Sequence, residues 1–164
     1  MKHLTKLLLI LPLALVLLLS GCSAKPKTFA KDGFSITLSN QFSEFEEESC
    51  LAAYQSKKSV VLIAKESFED LKDLELDSSN SPAAYAELII SANELGEIDV
   101  IEENGRTYFN YQQTVHRTQY SYIAFVVKDS TGFWLVQFAS ATRNYNDLQE
   151  SFFAYFDSFT LTES

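Results

Sequence analysis

The sequence predicts an α+β domain in which antiparallel strands form a sheet and helices pack against it. Three observations point there. Asn104-Gly105 and Asp129-Ser130-Thr131-Gly132 each lie between strand-like runs, the pattern of two β-hairpins. Ser81–Leu95 and Tyr145–Asp157 carry apolar residues at helical spacing. The element order is three strands, a helix, four strands and a helix, with a short last strand at Phe159–Leu161. Helices with this much apolar surface need a sheet to bury it.

Each element has its own signal. Asp32-Gly33 is a turn before Phe34-Ser35-Ile36-Thr37-Leu38, which alternates with period two. Strands follow at Cys50–Gln55 and Val60–Lys65, with Ser56-Lys57-Lys58 turning the chain between them. Glu69–Asn80 is polar and acidic and reads as a loop with room for one helical turn. Ser81 caps the first helix and Pro82 suits its first position. Tyr85, Leu88, Ile89, Ala92 and Leu95 form its apolar face, and Gly96 supplies a left-handed stop. Strands are then expected at Ile98–Glu103, Arg106–Val115, Gln119–Lys128 and Phe133–Ala139. The last helix starts near Tyr145, capped by Asn144 or Asn146, with Tyr145, Leu148, Phe152, Tyr155, Phe156 and Phe159 as its stripe.

The N-terminus is an export signal of the lipoprotein kind. Lys2 and Lys6 precede an apolar run, Leu7–Leu19, too short to span a bilayer and interrupted by Pro12. It ends in Leu19-Ser20-Gly21-Cys22, a lipobox, in which small residues precede the thiol that receives the lipid. The domain division expected is a signal peptide at 1–21, a tether at 22–28 and an α+β domain at 29–164. A diacylglyceryl group on Cys22 would anchor the chain without a membrane-spanning helix, since each buried methylene contributes about 0.8 kcal/mol.

Removal of residues 1–21 leaves 143 residues, one domain's worth. The net charge goes from −9 to −11, because Lys2 and Lys6 leave with the signal. That acidity excludes nucleic acid as a partner and keeps the domain body off an anionic bilayer. With Cys22 lipidated, Cys50 has no intrachain disulfide partner and reads as a small buried apolar residue.

Phe29 and Asp32-Gly33-Phe34-Ser35-Ile36-Thr37-Leu38-Ser39 resemble the opening of the DcrB/PsbP-like superfamily, although Ser39 stands where proline is common. Gly132-Phe133-Trp134-Leu135-Val136-Gln137-Phe138 and the closing Phe156-Asp157-Ser158-Phe159 also fit that pattern. The similarity covers residues 29 to 161. It implies an antiparallel sheet between helices, an α-β-α sandwich. It also implies protein binding rather than catalysis, and it carries over no active site. The superfamily includes bacterial envelope lipoproteins, a photosystem II extrinsic subunit and a eukaryotic Ran-binding import factor.

No catalytic or metal-ligating set is expected from the residues themselves. His116 is the one histidine after cleavage, and Ser121 and Asp129 come without a Gly-x-Ser-x-Gly elbow. The acidic runs Glu44, Glu46–Glu48 and Glu66, Glu69, Asp70, Asp73, Glu75, Asp77 lack a calcium-loop pattern and read as solvated faces. Apart from the lipid, no cofactor is expected. Arg106, Tyr108, Asn110, Gln112 and Thr114 share one face of their strand and form the candidate binding face, against the reading of a solvated face or one partly covered by a helix.

The functional expectation is a non-catalytic binding or accessory module of the cell envelope. It is anchored to the membrane by Cys22 and engages an envelope protein. The Gram-positive arrangement, on the outer face of the cytoplasmic membrane, is favoured, with the outer membrane as the Gram-negative alternative. The competing reading is a small-molecule or divalent-metal-binding domain, or an unrecognised hydrolase.

Overall fold

A computed structural model describes residues 25–162 except residue 32. The signal peptide and Cys22 lie outside the described residues. Ten strands and three helices follow in the order β1 (Pro26–Lys31), β2 (Phe34–Ser39), β3 (Ser43–Phe45), β4 (Ala52–Gln55), β5 (Ser59–Ser67), α1 (Phe68–Leu71), α2 (Pro82–Ala92), β6 (Ile101–Glu103), β7 (Arg106–Val115), β8 (Thr118–Lys128), β9 (Gly132–Ala141), α3 (Thr142–Asp157) and β10 (Thr160–Leu161). This is the α+β class expected. A seven-stranded antiparallel sheet has the order β3-β4-β5-β9-β8-β7-β6, and a smaller sheet has the order β1-β2-β10.

Alternation assigns each face of the large sheet its own core. On one face Val61, Ile63, Trp134, Val136, Phe138, Ile123, Phe125 and Tyr108 meet Phe34, Ile36 and Leu38 of the small sheet and Phe152 of α3. Aromatic stacking holds α3 down: Phe156 lies 4.0 Å from Phe125, and Phe152 lies 5.3 Å from Phe138. On the other face Tyr85, Ala86 and Ile90 of α2 bury Phe109, Ala124, Val126, Phe133 and Leu135.

The strong local signals act as expected. Asn104 and Gly105 have φ of +51° and +74°, the left-handed pair that a two-residue hairpin needs. Ser81 accepts a hydrogen bond from the Ala84 amide at 3.2 Å and so caps α2. The end of α2 differs. Glu94, at φ +51°, is the left-handed residue, with Leu95 N–H donating to Ile90 C=O and Glu94 N–H to Ser91 C=O, a Schellman closure. Gly96 is left-handed two residues later. The buried stripe of α2 is Tyr85, Ala86 and Ile90, and Ala92 is exposed.

Four further boundaries differ. Pro26–Thr28, expected within the tether, pair in β1 against Thr37–Ser39. Ser43–Phe45, within the acidic stretch, form an edge strand on β4. The segment after β5 makes two short turns, α1 and a 3-10 turn at Lys72–Leu74. Helix α3 begins at Thr142 rather than Tyr145, and no side chain caps it.

Candidate binding surface

The five residues expected to present a binding face lie on the side of β7 that α3 covers. Arg106 Nε and Nη2 donate to Asp157 Oδ1 and Oδ2 of α3 at 2.8 and 2.7 Å. Tyr108 is buried against Phe125 and Phe153 and donates to Glu103 Oε1 at 2.5 Å. Burial and that carboxylate push its phenol up to about 12. Asn110 Oδ1 accepts from Tyr145 of α3 at 2.8 Å. Only Gln112 and Thr114 are exposed. This face of amides, Tyr and Arg is therefore partly the seat of a helix.

Past the N-terminal end of α3 a polar groove of about 620 Å³ remains, lined by Asn110, Gln112, Ser121, Thr142, Tyr145 and Gln149 among others. Its polar groups answer one another. Gln112 Nε2 donates to Ser121 Oγ at 3.1 Å, Gln119 Nε2 donates to Gln112 Oε1 at 2.9 Å, and the Ser121 and Thr142 hydroxyls lie 3.0 Å apart. Gln112, Ser121 and Thr142 are engaged with one another rather than aimed into the groove.

The opposite face of the sheet is the open one. Helix α2 lies mainly over β7 and β8 and reaches β5 near Ala64 and Glu66, so the part of the face built by β4 and the start of β5 is less covered. There Val60, Leu62 and Ala64 of β5 are half-buried, beside an exposed Leu51 whose amide donates to Ile63 C=O. The register sets Val60 and Leu62 beside Ala139 and Gln137 of β9, and Gln137 beside Ala124 of β8. Tyr111 and Tyr122, cross-strand partners on β7 and β8, stack at 4.5 Å with rings 7° apart. Tyr111 donates to Gln137 Oε1 at 2.8 Å. Burial, with Tyr122 adjacent, raises the Tyr111 phenol well above its ordinary range, so it stays a neutral donor.

A cleft of about 550 Å³ adjoins this surface, between α2 and the segment leading into β4. Leu51, Ala64, Ile89 and Leu135 line it together with Glu48, Glu66 and Asp70. Tyr85 donates to Glu66 Oε2 at 2.6 Å and stacks on Phe133 at 4.7 Å, which fixes the wall of the cleft. Cys50 also lines it, half-buried. Burial raises its thiol, which favours the protonated form.

The remaining sequence candidates do not assemble. Ser121 lies in β8 and Asp129 just past its end, eight residues on, roughly 26 Å at strand spacing. His116 lies at the exposed β7–β8 tip. Glu44 pairs with Lys31. Among the described residues, no three His, Cys, Asp or Glu side chains gather to hold a metal ion. Nor is any helix there long and apolar enough to cross a membrane.

The open surface was available to the alternation rule. Thr107, Phe109, Tyr111, Gln113 and Val115 form the other face of β7, and Val60-Val61-Leu62-Ile63-Ala64 is apolar at every position. Such a run announces a strand buried on both faces. Here the second face is only partly covered.

No protein-family model matches the chain, and no curated protein matches its sequence. Its fold is found among solved structures. The cyanobacterial PsbP (CyanoP) of Synechocystis sp. PCC 6803 superposes with a TM-score of 0.55 at 11% identity, over 87% of this chain and 96% of that one. The Ran-binding protein Mog1p of Saccharomyces cerevisiae gives 0.54 at 7% identity, over 85% and 96%. LpqN of Mycobacterium tuberculosis, involved in cell envelope biogenesis, gives 0.52 at 7% identity, over 85% and 91%. The domain thus has the PsbP-like fold, as the resemblance of its opening and closing segments implied.

Proposed function

We propose that this PsbP-like domain is a non-catalytic binding module of the cell envelope. A lipid on Cys22 holds it at the outer face of the cytoplasmic membrane, and it engages an envelope protein through the open half of its large sheet. The observation that carries the reading is the partly covered surface of exposed Leu51, half-buried Val60 and Leu62 and the stacked Tyr111–Tyr122 pair. Contiguous apolar and tyrosine surface of this kind marks interaction sites. The lipobox Leu19-Ser20-Gly21-Cys22 supports the anchoring. The involvement of LpqN in envelope biogenesis, on the same fold, is in keeping with the compartment. The separation of His116, Ser121 and Asp129 supports a non-catalytic role.

The test is a photo-crosslinking amino acid placed at Leu62 or Tyr122 in living cells. The expected result is one envelope protein captured from both positions, confirmed by reciprocal capture. It is not captured from Gln149 across the sheet, and it is lost in Cys22→Ala. Equal labelling from all three positions, or none, overturns the reading.

A further inference from the structure

We infer that the cleft at the edge of the open half-sheet receives a basic, aliphatic segment of the partner protein, in which Lys or Arg alternates with Leu, Ile or Val. This inference rests on the reading of the open half-sheet as a protein-binding surface, and it names what docks there.

Two features of the cleft select that chemistry. Its walls offer aliphatic contact through Leu51, which is 43% exposed, and through Ile89 and Ala64. Its carboxylates, Glu48, Glu66 and Asp70, form no ion pair among the described residues. The one lysine of the lining, Lys65, spends its ammonium elsewhere: it pairs with Asp129 at 2.8 Å and lies over the Trp134 ring. The negative potential of the cleft is therefore uncompensated from within, in a chain that is acidic throughout. A purely apolar occupant would bring no counter-charge to these carboxylates, and an acidic one would be repelled. A segment with cations beside aliphatic side chains matches both the rim and the floor.

The test uses the full lipidated chain in neutral phosphatidylcholine nanodiscs, with a photo-crosslinking amino acid at Leu51 or, as control, at Gln149. The probes are two biotinylated synthetic peptides, one alternating Leu and Lys, the other Leu and Glu. The Leu-Lys peptide is expected to label from Leu51 and not from Gln149. That labelling should fall roughly ten-fold between about 0.05 M and about 0.5 M NaCl, and it should be lost in Glu48→Lys. Equal labelling by the Leu-Glu peptide, equal labelling from Gln149, or no labelling overturns the inference. The in-cell capture from Leu62 and Tyr122 is read separately. A partner captured there, with no labelling by the Leu-Lys peptide, leaves the binding surface standing and removes the basic segment. No partner and no peptide removes both.

Discussion

Asp129 holds Trp134 from the turn that joins β8 to β9: the indole Nε1–H donates to Asp129 Oδ2 at 2.7 Å. The same oxygen accepts from Lys65 at 2.8 Å, and Oδ1 accepts from the amides of Thr131 and Gly132. The bulkiest buried side chain is thus fastened at its one polar atom, with Phe34 and Phe159 packed on its rings.

This arrangement predicts acid lability. Burial pushes the Asp129 carboxyl up, but the bonds from Lys65, Trp134 and Thr131 outweigh it and hold the group well below the usual carboxylate range. Its folded value is depressed, so its stabilisation is complete above the unfolded value of about 4 and is lost as pH falls below it. Asp129→Asn is expected to cost about 2 kcal/mol at neutral pH. In urea titrations the gap from wild type should be constant from about pH 7 to about pH 5 and shrink below about pH 4.

Gly132 is required by a close approach of strands. A Cβ there would lie 2.1 Å from Glu66 O, within the β5–β9 pairing of Ser67 with Gly132. Gly132→Ala is expected to destabilise by about 3 kcal/mol or more, because backbone must move to admit one methyl. A chemical denaturation midpoint unchanged from wild type would contradict the packing.

The two tight hairpins make an internal comparison. Asn104-Gly105 and His116-Arg117 all have positive φ, with +47° and +69° at the second pair. Left-handed backbone costs a non-glycine residue about 1 kcal/mol or more. Replacement of His116-Arg117 by Asn-Gly should therefore stabilise the domain by about 1 to 2 kcal/mol, read as a higher urea midpoint with an unchanged slope.

Lipidation has a direct readout. The wild-type chain is expected to take up labelled palmitate and float with membranes in a density gradient. Cys22→Ala should do neither. Retention of Cys22→Ala in the membrane fraction after alkaline extraction would point to anchoring by another segment.

Much of the fold was legible because its decisive residues act locally. Asn104-Gly105 and Ser81-Pro82 set backbone angles and caps that need no distant partner. The missed elements depend on distant partners. β1 is a polar Pro-Lys-Thr edge that becomes a strand by pairing with β2, through contacts such as Thr28 with Thr37. The first turn of α3 has Ala141 at its cap position and no capping side chain to announce it. Which face of β7 is covered also depends on distant partners. Both faces of β7 carry polar and aromatic residues, and only the seating of Asp157 and Tyr145 against Arg106 and Asn110 decides which is covered. A parity choice of this kind reverses every side chain of a strand.

The early start of β1 bears on geography. The strand is paired from Pro26, so a lipid on Cys22 would leave four peptide units between the lipidated residue and the strand, a reach of at most about 14 Å. A domain so held would patrol no wide volume. It would meet its neighbours side by side, at the height of the headgroups, and at the high effective concentration that confinement to a surface gives. On the proposed reading, its partner would be a protein whose own accessible segment emerges close to the same membrane.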